Sequence, residues 1–299
     1  MLPQPPIENQ VRYILIIFSV SLFSLTVISC AKKSGSSSSS TTNTTTSDNT
    51  TTTSSGLYIA VGASGTLLTS SDGTSWTNKR TSSGTTNNLY GVTYGNSTFV
   101  TVGDNGTILT SSDGTSWTNK RTSSGTSEHL YEVTYGNGLF VTVGENATIL
   151  TSSDGTTWTE RDGLRSKWAI PKYLKGVTYR KKLFVTVGRN GLILNSSDGT
   201  TWTERKSGTK YNLVGITYGN GLFVGVGKNG QIVTSFDGNW WVKRTYVLST
   251  WLNGVTYGNG TFVTVGDNGI MLTSSDGISW TKRTSVTTNS LSAVTYSNH

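Results

Sequence analysis

Side chains able to do chemistry are few in this chain. It has one cysteine, Cys30, and two histidines, His129 and His299, beside 24 Lys and Arg and 16 Asp and Glu. A lone thiol cannot close an internal disulfide. Two histidines supply poorly any chemistry that needs an imidazole base or a His-rich metal site. The thiol does have a telling neighbourhood. It ends an apolar run, residues 13–29, that follows Arg12. The run is short for a bilayer-spanning helix, which needs about 20 residues, and long enough for the core of an export signal.

The residues before the thiol, Val27-Ile28-Ser29-Cys30, resemble a lipobox, with Ile28 and Ser29 departing from its strict form. The resemblance implies a signal peptide over 1–29, cleavage before Cys30, a lipid on Cys30, and attachment to a bacterial outer membrane facing the periplasm or the cell surface. An uncleaved anchor with an incidental cysteine is the alternative. Residues 30–55 are dominated by Ser, Thr and Asn. They have almost nothing apolar to bury, so the expectation is a disordered tether. A flexible tether of this length holds its cargo about 25–30 Å from the membrane.

The carboxylates are patterned. Ser-x-Asp-Gly-x-x-Trp recurs with Asp72, Asp113, Asp154, Asp198, Asp237 and Asp276, each followed by Trp76, Trp117, Trp158, Trp202, Trp241 or Trp280. The spacing is 39 to 44 residues, and 66–85 and 107–126 differ only at Leu67 and Ile108. A period near 40 built of short strands points to propeller blades of four strands each. Only 13% of residues are charged and Gly reaches 35, which suits strands and tight turns. One unit divides into LYGVTYG (89–95), TFVTVG (98–103), TILTSS (107–112) and SWTNKRTS (116–123), an antiparallel meander of strands A to D.

This Asp-Gly-Trp turn resembles the Asp-box, or BNR, repeat of sialidases and photosystem II assembly factors, with one residue fewer between Asp and Gly. The resemblance covers 57–299 and implies that the six Asp and six Trp are structural. Inner-strand motifs such as Val-Thr-Tyr number six, yet the first unit starts at strand B and the last stops after strand A. The expectation is therefore an all-β, six-bladed propeller over 56–299 in which LSAVTYSN (291–298) completes the blade opened by LYIAVG (57–62).

In such a ring the D–A and B–C connections share one face, where the copies differ. The B–C turns begin with Ala63, Asp104, Glu145, Arg189, Lys228 and Asp267. The longest D–A loop, 162–175, carries Arg165, Lys167, Trp168, Lys172 and Tyr173. Basic and aromatic side chains interleaved in this way suit a glycan or an anionic partner. With Arg189 and Lys228 they form the candidate binding set; a solvated loop is the plain alternative. Arg180-Lys181-Lys182 belongs to the opposite face. Arg80, Arg121, Arg161, Arg205, Arg244 and Arg283 recur on the outer strands and read as edge protection.

Catalysis is poorly supplied. Glu132 is the only acid within an inner strand, and glycoside hydrolysis calls for two carboxylates. The Asp-Asn-Gly turns lack the ligand spacing of a calcium loop. No catalytic residue, metal or cofactor is expected. The net charge of +8 favours anionic lipid or acidic glycan over nucleic acid on an exported protein. These residues lead to a lipid-anchored binding or scaffold module for a protein or glycan, with a degenerate sialidase-like hydrolase as the alternative.

Overall fold

The computed structural model describes residues 30–32, 57–79, 84–120, 126–162, 172–244 and 249–296. They form six four-stranded antiparallel sheets, a six-bladed β-propeller. Blade 2 shows the pattern. Its strands are Leu89–Gly95, Thr98–Gly103, Ile108–Ser111 and Thr118–Asn119. Alternation sets the register: Val92, Thr93 and Tyr94 stand opposite Thr101, Val100 and Phe99. The inner strands of blades 3 to 6 are Leu130–Gly136, Leu174–Arg180, Leu213–Gly219 and Leu252–Gly258.

The Asp-Gly-Trp turn is a self-contained hydrogen-bond unit. Asp113 Oδ1 accepts from Thr115 N at 2.7 Å, Ser116 N at 2.8 Å and Ser111 Oγ at 2.8 Å. Gly114 sits at φ +74°, a left-handed position that suits glycine. Trp117 Nε1 donates back to Gly114 O at 3.1 Å. The N–H donors pull these carboxyls well below the usual carboxylate range, Asp276 to about 2.

The same turn anchors the core. In blades 2 to 6 each Trp lies 6.3–6.4 Å, ring to ring, from the Phe of strand B, which touches the inner-strand Tyr at 4.5–4.8 Å. These aromatics pack on the preceding blade, as Phe99 and Trp117 do on Ile59, Val61 and Leu67. Five such cores join blades 1 to 6 in order. Each fully buried Phe contributes about 1.5–3 kcal/mol through removal from water. Inner strands approach closely: the Tyr135 ring lies against Gly95, where any Cβ would collide with it.

The meeting of the chain ends differs from expectation. The inner strand of blade 1 is Cys30–Lys32, paired to Tyr58–Val61 with Cys30 opposite Ala60 and Lys32 opposite Tyr58. It takes the place that the sequence assigned to 291–298. Residues 291–296 instead lie along blade 6. Leu291 N donates to Gly266 O at 3.0 Å, as Leu89 N does to Gly62 O. Tyr296 lies on Gly258 as Tyr135 lies on Gly95. Backbone pairing explains the substitution: a bare strand edge is satisfied by any extended backbone, whereas the assignment of 291–298 rested on side chains. Val263 and Met271 of blade 6 are only half-buried, while their counterparts Val100 and Ile108 are buried completely. The tether expected over 30–55 thus begins in a strand, and its residues 33–55 lie outside the described ones.

Candidate functional site

The loop face is organised by the residue preceding each inner strand. In blades 2 to 6 these are Asn88, His129, Tyr173, Asn212 and Trp251. Their carbonyls accept the first N–H of the adjoining B–C turn, from Asp104, Glu145, Arg189, Lys228 and Asp267, at 2.8–3.1 Å. A shared backbone frame thereby displays a ring of different side chains.

One sector is acidic and internally satisfied. Tyr90 Oη donates to Asp104 and Tyr131 Oη to Glu145, both at 2.7 Å. His129 Nδ1 lies 2.8 Å from Asp104 and its Nε2 lies 3.9 Å from Glu145. Asn253 donates to Asp267 at 2.9 Å. Burial, with the Asp104 contact adding to it, pushes the Tyr90 phenol up to about 12.

The other sector is cationic and aromatic. Lys175 Nζ lies 3.1 Å from the centre of the Tyr131 ring, and Arg189 Cζ lies 4.1 Å from that of Tyr173. Lys228 Nζ lies 5.6 Å from the Trp251 ring. Burial lowers the Lys175 ammonium to about 8, opposed by Glu145 and reinforced by Arg189. These cations rest on π-faces, which attract charge while leaving N–H donors for a ligand.

Between the sectors opens a cavity of about 270 Å³, lined by Tyr131, Glu145, Tyr173, Lys175, Arg189, Asn212, Val214 and Trp251. Drug-sized sites run to about 300–1,000 Å³, so this one suits a single side chain or sugar ring. Two cations, three aromatic rings and one carboxylate define its chemistry: an anionic group beside a flat or apolar one. Among the described residues no cluster of three or more His, Cys, Asp or Glu is arranged to hold a metal.

Of the residues singled out in the sequence, Tyr173 and Arg189 come together in this cavity, and Lys228 stands beside Trp251. Lys172 points elsewhere, to Glu204 at 3.8 Å. Arg165, Lys167 and Trp168 lie outside the described residues. Sequence reasoning did not single out Tyr131, Lys175 or Trp251 as a site. Aligning the second position of each inner strand, Tyr90, Tyr131, Lys175, Val214 and Asn253, would have drawn attention to it. Glu132 is wedged beside Gly91 in the packed inner strands; burial pushes its carboxyl up to about 8, against one hydrogen bond from Val133 N at 3.2 Å.

A family described as the DUF6242 beta propeller domain matches residues 133–250. No curated protein matches the chain. Among solved structures, the computationally designed Ika8 protein aligns with a TM-score of 0.62 at 12% identity, over 81% of this chain and 75% of its own. YCF48 from Cyanidioschyzon merolae aligns at 0.58 with 15% identity, over 76% and 80%. A structure of YCF48 bound to D1 peptide aligns at 0.59 with 17% identity, over 76% of each chain. At these identities the likeness shows a shared propeller fold.

Proposed function

We propose that this chain is a non-catalytic binding module, held outside the cytoplasmic membrane by a lipid on Cys30, whose loop face captures a segment of a partner protein. The carrying observation is the cavity on that face, lined from blades 3 to 6, where Lys175 and Arg189 rest on tyrosine rings and Trp251 adds a third ring. Aromatic and arginine anchors in a pocket are the usual source of binding energy at protein interfaces. YCF48, a propeller of similar fold, has been solved with a peptide bound. A sugar carrying a carboxylate would meet the same chemistry, so glycans belong in the test.

The test presents peptide and glycan arrays to the full chain in detergent. Ligands should carry an acidic group beside an aromatic or apolar one, and Lys175→Gln with Arg189→Gln should weaken them about tenfold or more. Equal binding by this variant would place the site elsewhere. Anchoring is tested by metabolic labelling with a fatty acid, which Cys30→Ser should abolish.

A further inference from the structure

The opposite face is nearly uniform from blade to blade, with one exception. In the Asp-Gly-Trp turn of blade 5, Phe236, Trp240 and Val242 stand where the other five copies have only Ser or Thr. All three are exposed, at 63%, 82% and 50%, and Ile278 of the next turn is exposed at 39%. Among the described residues, the only charged turn between strands A and B is alongside. Arg180-Lys181-Lys182 replaces Gly-Asn-Gly or Gly-Asn-Ser, and Lys181 Nζ donates to Phe236 O at 3.3 Å. Asn195, a Thr in the other copies, donates from its buried amide to Gly238 O at 2.9 Å and to Asn239 Oδ1 at 3.0 Å. The apolar turn is thus fastened to blade 4 from two sides. Asp237 is the nearest carboxylate, and the N–H groups of Asn239 and Trp240 and the Ser235 hydroxyl engage it.

Backbone conformation strengthens the case. Lys181 and Lys182 both hold positive φ, 53° and 58°. That region is disfavoured for side chains of this kind, and the other turns fill it with Asn, Gly or Ser. Two lysines are kept where stability alone would select Asn-Gly.

We propose that this sector of blade 5, with the 180–182 turn, is a membrane-contact surface for anionic lipid. Charge complementarity chooses the occupant. Three adjacent cations attract acidic headgroups, and Trp and Phe side chains settle at the level of those headgroups. A bilayer accepts separate apolar side chains on a convex turn without the matching pocket that a protein partner would have to provide. Contact here turns the loop face away from the membrane, free for the partner proposed above, and does not depend on that partner's identity.

The experiment reconstitutes the full chain in vesicles of phosphatidylcholine with phosphatidylglycerol, or of phosphatidylcholine alone. A photoreactive phenylalanine analogue replaces Trp240 or, across the ring on the same face, Ser116. Lipid adducts should form about tenfold more at 240 than at 116, in anionic vesicles only. Arg180→Gly with Lys181→Asn and Lys182→Gly should bring 240 down to the level of 116, since each basic residue near such a surface carries a severalfold share of binding. These substitutions restore residues that the other blades fold with, and an unchanged or raised melting temperature confirms an intact ring. Equal adducts at 240 and 116, adducts indifferent to anionic lipid, or adducts to protein in place of lipid would each overturn the proposal.

Discussion

The two faces of this ring are built under opposite rules. On the Asp-Gly-Trp face the side chains repeat and are tied to their own turns, as Asp113 is to Thr115, Ser116 and Ser111. On the loop face the backbone repeats while the side chains change, acidic at Asp104 and Glu145, basic at Arg189 and Lys228. Strict repetition serves stability, because every interface between blades needs the same fit. Variation over a fixed frame serves recognition. Blade 5 breaks the first rule on a face that otherwise keeps it, and for that reason it draws the further proposal.

The largest effect should separate the faces by stability. Trp158 is buried, packs on Phe140 and donates from Nε1 to Gly155 O at 2.9 Å. Trp158→Ala leaves a cavity and should cost about 3–5 kcal/mol. Lys175→Gln with Arg189→Gln gives up the contacts with Tyr131 and Tyr173 and should cost no more than about 1–2 kcal/mol. Urea melts compare them directly. If the loop-face pair destabilises as much as the tryptophan change, the division of labour between faces is wrong.

A second, smaller effect concerns pH. Glu132 takes the place of Gly91, Gly176, Gly215 and Gly254 in the other inner strands. Its carboxyl, ordinarily 4.5, is raised to about 8 by burial. Below pH 4.5 the folded and unfolded chains both hold the proton, so it costs nothing. Between 4.5 and 8 only the folded chain holds it, and stability falls as pH rises. Above 8 the cost levels off. Glu132→Gln should match the wild type near pH 4 and exceed it at pH 8, by on the order of 2 kcal/mol, discounted because the residue is only half-buried. Parallel melting curves at the two pH values would show instead that the carboxylate is freely solvated.

The strands, the blade count and the turn at each Asp-Gly-Trp repeat were legible because one unit is written six times. Period, turn residues and alternation agree at Leu89–Gly95 and at each of its counterparts. Two things were not legible. Cys30–Lys32 has no inner-strand pattern, and its pairing to Tyr58–Val61 comes from backbone groups that carry no side-chain signature. The cavity gathers residues from blades 3 to 6, some 120 positions apart along the chain, so no local motif announces it. A lipid on Cys30 would also draw 30–32 off blade 1 and free that edge for 291–298. Cysteines at 60 and 294 should then form a disulfide in the lipidated chain, where the Cys30 thiol is blocked, and none in the Cys30→Ser chain, where 30–32 keeps the edge; failure in the lipidated chain would keep the two segments apart.

The smallest effect is also the most specific to blade 5. Lys181 and Lys182 occupy left-handed backbone at φ 53° and 58°, whereas blade 3 places Asn137 and Gly138 at 51° and 74° in the same turn. Asn tolerates that region through its short polar side chain, and Gly has no Cβ to collide. Lys181→Asn with Lys182→Gly should therefore stabilise the fold by about 0.5–1 kcal/mol, with the Asn amide in position to remake the bond to Phe236 O, as Asn96 and Asn220 bond Ser153 O and Ser275 O. The expected gain in thermal midpoint is about 1–4 °C. A gain accompanied by loss of the lipid adducts at position 240 would show that these lysines are kept for contact and against stability. A loss of stability would mean that Lys181 mainly braces the turn of blade 5, and that the contrast between the faces extends to this sector unchanged.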